Sequence, residues 1–180
     1  MKCRFLFLLC SPFLFGCAST PPRGTHANEG HGYTIEHTEK NTKNYGSVSI
    51  EYESREVLMQ EKLRELDNRL ADEATRADEL AAIPAGGYIF LHIRRITIAS
   101  ANTDMFQYVV TDGDKVLYRA DGEWRLPSTP VSRFDTWKNI EVLRLKQPIQ
   151  TGISVYVIDK LGGRDCFVIS KPTAGAQSAR

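Results

Sequence analysis

The chain has 180 residues, with 23 Lys and Arg against 22 Asp and Glu and a formal net charge of +1. That balance leaves no cationic surplus to neutralise phosphates, so the composition argues against a nucleic-acid partner. Hydrophobic residues make up 42% and aromatic residues 9%, enough to bury the core of one domain with extensions.

Residues 1–16 read as a secretory signal. Lys2 and Arg4 precede an apolar run, Phe5 to Phe15, which ends at Gly16-Cys17. A run of about eleven residues is too short to span a bilayer, which takes roughly 20, and Pro12 interrupts it. Without Lys2 and Arg4 the basic residues number 21 against 22 acidic ones.

The segment Leu14-Phe15-Gly16-Cys17 resembles the lipobox of bacterial lipoproteins. Leu14 and Gly16 match the pattern, whereas Phe15 departs from it. The resemblance implies cleavage between Gly16 and Cys17, a diacylglycerol on the Cys17 thiol and a fatty acyl chain on its new amine. Two or three chains on one cysteine hold a protein to a bilayer without any spanning segment. The implied location is the bacterial cell membrane or outer membrane, facing periplasm or exterior. Ordinary secretion with cleavage near Ala18-Ser19 is the alternative. Of the four cysteines only Cys166 would remain unmodified after processing, so no intrachain disulfide is expected.

Residues 17–53 read as a tether. Pro21-Pro22, Gly24, Gly30 and Gly32 set no apolar period. Two alternating runs, Tyr33 to His37 and Val48 to Tyr52, suggest a short hairpin across the turn-rich 41–46 segment, or an extended linker. His26, His31 and His37 are spaced too widely for the usual metal motifs.

Residues 54–83 predict one long amphipathic helix. Met59, Leu63, Leu66, Leu70, Ala74 and Ala77 recur at steps of three and four, near a coiled-coil seam. Glu65 with Arg69 and Asp72 with Arg76 make i to i+4 pairs on its flanks. Ser54 is positioned to cap the start, and Pro84 with Gly86-Gly87 ends it. Such a helix either lies against its own β domain or forms a homo-oligomer with other copies.

Residues 88–170 alternate as short strands separated by turns. Arg94-Arg95 interrupts the first, suggesting a bulge. Asp121-Gly122 suggests a hairpin into Glu123 to Leu126. The expected fold is mainly β with one long helix: an antiparallel β-sandwich on an α-helical stalk. The polar tail, 171–180, is expected to be disordered.

Leu91 to Ile96, Asp104 to Val110, Thr136 to Asn139 and Val155 to Asp159 followed by Asp165 resemble, in order, pieces of a C-two domain. That family's sandwich often binds calcium and phospholipid. The resemblance implies a calcium site at Asp104, Asp159 and Asp165. Leu161, and Ala101 or Asn102, stand where further carboxylates are expected, and calcium takes six to eight oxygens. The competing reading makes the three aspartates turn residues.

No Gly-x-Ser-x-Gly elbow, phosphate loop or dinucleotide fingerprint occurs. Trp124, Trp137, Tyr118 and Phe134 either fill a core or form a binding surface. Cys166 lies in a strand-like run and reads as a small buried residue. The sequence therefore points to a membrane-anchored, non-catalytic binding or structural module. The alternatives are a calcium-dependent lipid-binding module and a helix-mediated oligomer.

Overall fold

The computed structural model describes residues 25–28, 32–43, 46–130 and 135–171. The signal, Gly16, Cys17 and His31 lie outside the described residues, as do Phe134 and the tail beyond Lys171.

Among the described residues, nine strands form two antiparallel sheets. They are β1 (Thr25–Asn28), β2 (Tyr33–Glu39), β3 (Gly46–Glu53), β4 (Tyr88–Arg95), β5 (Phe106–Asp112), β6 (Lys115–Asp121), β7 (Trp137–Arg144), β8 (Gly152–Asp159) and β9 (Arg164–Ser170). One sheet has six strands in the order β1-β2-β9-β8-β5-β6, and the other three in the order β3-β4-β7. Period-two alternation sends one side of each strand inward. Ile35, Tyr108, Val155 and Ile169 from the larger sheet meet Ile50, Leu91, Ile93 and Leu143 from the smaller in a single core.

The two alternating runs before residue 54 are not a hairpin. β2 pairs with β9 in one sheet, whereas β3 pairs with β4 in the other. The link between them crosses from sheet to sheet, because each run carries an inward apolar set. Tyr33 of β2 and Tyr52 of β3 close that edge with an edge-on ring contact, centroids 4.8 Å apart. Tyr52 also donates its hydroxyl to the Gly86 carbonyl at 2.9 Å. Burial pushes the Tyr52 phenol above its ordinary pKa.

The stalk expectation is overturned. In place of one helix over 54–83, two short ones form, α1 (Arg55–Asn68) and α2 (Glu73–Ala81), folded back on one another. Leu70 takes a left-handed conformation, φ 52°, and is 89% exposed. Asp72 caps the second helix by accepting the Thr75 N–H at 2.8 Å. The bend seals Leu66 completely. It also lets Arg69 reach Glu79 at 2.7 Å and Arg76 reach Asp67 at 2.6 Å. In a straight helix residues ten apart are separated by about 15 Å, so neither pair could form. The expected Glu65–Arg69 contact exists at 3.6 Å, but Arg76 turns to Asp67 instead of Asp72. Leu63, Leu70, Ala74 and Ala77 are exposed, so the continuous seam does not exist.

Two β-region expectations change as well. β4 runs without a bulge through Arg95, in unbroken register with β3 and β7. Asp121-Gly122 is not a hairpin: Gly122 donates to the Phe106 carbonyl at 2.9 Å, and a Cβ there would collide with the Thr103 carbonyl. From Gly122 the chain leaves β6 and crosses to the smaller sheet, where Ser128 bridges to Lys138. The C-two-like sandwich confined to 88–170 is likewise not what forms. The strands divide six and three, and β2 and β3 are integral to the sheets.

Candidate functional site

The three predicted aspartates come to one end of the sandwich. Asp104 lies in a short 3-10 turn, Thr103–Met105, entering β5. Asp159 is the last residue of β8, and Asp165 the second of β9. Each has a separate structural task.

Asp159 is the carboxylate of an ion pair between the sheets. Its Oδ2 lies 3.2 Å from Arg95 Nη2, and the two side chains are 2% and 3% exposed. Its Oδ1 accepts the Leu161 N–H at 2.8 Å, which shapes the turn into β9. The Arg95 guanidinium sits 5.2 Å from the centre of the Phe106 ring, and its Nη1 donates to the Arg94 carbonyl at 3.1 Å. Its Nε is buried without a hydrogen-bond partner. Removing a cation from water costs several kcal/mol, and this site sets against that cost one carboxylate, one carbonyl and a ring face.

Asp165 ties two loops together. Its Oδ1 accepts the Asn41 N–H at 3.1 Å and lies 2.9 Å from His37 Nε2. The His37 ring stacks on Phe167, centroids 4.1 Å apart. Asn41 in turn donates to the Gly162 carbonyl and accepts from the Lys43 N–H. This fastens the turn after β2 to the turn after β8.

Asp104 serves through its backbone, its carbonyl accepting Lys160 Nζ at 2.7 Å. Asn102, at the position where a further carboxylate was expected, is buried and accepts the Arg125 N–H at 2.9 Å. Asn139 donates to the carbonyls of Ala101 and Arg125 at 3.1 and 2.8 Å. These amides hold the crossing segment against β7. Leu161 is exposed. Among the described residues no three Asp, Glu, His or Cys side chains converge to hold a metal ion.

Arg95 was missed from the sequence. Its signal was parity: it shares the inward side of β4 with Ile89, Leu91 and Ile93. Of the aromatic residues singled out, Trp124 is 68% exposed, whereas Trp137 and Tyr118 are half-buried. Cys166 is buried and unpaired.

A cleft of about 330 Å³ separates the helix pair from the smaller sheet, lined by Leu58, Lys62, Glu79, Ala82, Ile83 and Tyr88. Ile140 of β7 is 45% exposed, and Leu126, on the segment that Arg125 ties to the Ile140 carbonyl, is 62% exposed. Among the described residues no helix is long and apolar enough to cross a membrane. Compared with known proteins, the chain matches no family model, no curated protein sequence and no solved structure.

Proposed function

We propose that this chain is a lipid-anchored bacterial envelope protein whose β-sandwich works as a non-catalytic binding or structural module at the membrane surface. The observation that carries this reading is the Leu14-Phe15-Gly16-Cys17 segment after a short cationic and apolar leader. On this reading the start of the first strand sets how far the sandwich can stand from the lipid. β1 starts at Thr25, eight positions beyond Cys17. An extended chain covers at most about 3.6 Å per residue, so acylated Cys17 would hold the β1–β2 edge within about 29 Å of the headgroups. The tether is thus much shorter than 17–53, and the sandwich sits near the lipid surface. At the aspartate end, the polar side chains are engaged in holding loops and sheets, which favours a scaffold over a reaction centre.

The test is detergent phase partition with labelled palmitate in cells expressing the full chain. Label and detergent-phase recovery are expected for the native chain and lost in Cys17→Ala. Equal labelling of both, or recovery of the native chain wholly in the aqueous phase, refutes the anchor.

A further inference from the structure

We propose that two copies of this chain associate through the outer face of the smaller sheet, about a two-fold axis running along β4. The outward side of a solvated antiparallel sheet is ordinarily polar. Here it is apolar along its middle. Phe90 of β4 and Val142 of β7 are half-buried cross-strand neighbours, and Ile140 lies one row further along. The helix pair borders this face at its Tyr88 end, across the cleft described above.

Charge decides the occupant. The β3 column of the face carries Glu51, placed opposite Phe90 in the register. The β7 column carries Arg144, placed opposite Tyr88. Acid therefore lies on one flank and base on the other, with Tyr88, Phe90, His92 and the exposed Arg94 of β4 between them. A two-fold axis along the central strand places β3 of one copy over β7 of the other, which makes the flanks self-complementary as an isologous interface needs, while Arg94 at the far end of β4 faces Arg94 of the second copy. Phe90 then meets Phe90 of the second copy on the axis. Glu51 lies one row from the other copy's Arg144, an offset of about 7 Å along the strand that two long side chains span. Both groups are already held over the face. The Arg144 guanidinium sits 5.9 Å from the Tyr88 ring centre. The Glu51 carboxylate rests 3.4 Å from His92 Nε2, a contact too poorly aligned to be a hydrogen bond.

Trp124 and Leu126 extend the surface beyond β7. The Ser128–Lys138 bridge and the 2.7 Å bond from Arg125 Nη1 to the Ile140 carbonyl hold their segment there. Against a second copy they lie beside its β3 strand. The sheet face itself spans roughly 20 Å by 15 Å. That is smaller than the ~800 Å² per partner of a standard interface, so the association is reversible and concentration-dependent.

The test is sedimentation equilibrium of the full chain in density-matched detergent, over a wide range of concentrations. The native protein is expected to pass from one-copy to two-copy mass. Glu51→Arg and Arg144→Glu should each weaken association by about tenfold or more, and the double swap should restore it, because the opposite charges again face one another. Ile140→Lys, at a position 45% exposed, should abolish it. Thermal melts confirm that each variant is folded. One-copy mass throughout overturns the proposal and leaves the face to a different partner. Association unchanged in both charge reversals and in Ile140→Lys, or a double swap no better than the single reversals, also overturns it.

Discussion

The guanidinium of Arg95 and the carboxylate of Asp159 meet at 3.2 Å across the interior, one from each sheet, both almost wholly removed from water. The pair joins the last residue of β4 to the last residue of β8. It therefore fixes how the two sheets are stacked at that end.

Breaking this pair from one side leaves the other charge buried. Arg95→Met is expected to cost about 3–5 kcal/mol in urea unfolding. Asp159→Asn, which keeps an oxygen for the Leu161 N–H, is expected to cost a comparable amount by stranding the guanidinium. The double variant should cost clearly less than the two single effects added together, because no charge then remains unpaired. Additive losses would mean that the two groups act independently.

Calcium is expected to do nothing at the aspartate end. Asp159 already faces Arg95, and Asp165 already holds the Asn41 N–H and the His37 ring. A site with a Kd of about 1 mM would add roughly 1.4 kcal/mol at about 10 mM calcium. Thermal unfolding with and without that calcium should coincide. A rise in Tm that Asp104→Asn removes would restore the metal reading.

Acid should loosen the helix pair before the sheets. The Thr75 N–H and hydroxyl hold the Asp72 carboxyl below its usual range. Arg69, then Lys62, do the same for Glu79. A depressed folded pKa contributes stability above the unfolded value, and that stability is lost as pH falls through the folded one. The window therefore opens at about pH 4 and extends downward. Hydrogen exchange should show Ala74 to Ala81 losing protection there while β8 keeps it. Equal loss in both would place the acid-sensitive groups elsewhere.

How much could be read from the chain differed between elements for physical reasons. β5, β8 and β9 were legible because their alternation and the turns beside them are local signals. Gly113, φ 54°, makes the turn from β5 to β6. The helical break was not legible from apolar spacing, since Leu66 and Leu70 fit the same stripe. The choice between them rests on pairs ten and nine residues apart that exist only after the fold-back. Asp121-Gly122 carries a hairpin's chemistry, yet the glycine is used for close approach to the Thr103 carbonyl. The aspartates were found as residues, but their partners Arg95, His37 and Asn41 come from distant positions.

The sequence alone determined that this chain is mainly β, where most strands lie, and which side of each is apolar, because alternation is a property of neighbouring residues. It also supplied the lipobox-like leader, from which anchoring is proposed. Tertiary structure alone decided that β2 and β3 belong to opposite sheets, that residues 54–83 form a folded pair of helices, and that the Asp159 carboxylate meets Arg95 while that of Asp165 meets Asn41 and His37. Those outcomes depend on which distant groups share the interior. There the cost of burying an unpaired charge selects partners that no local pattern encodes.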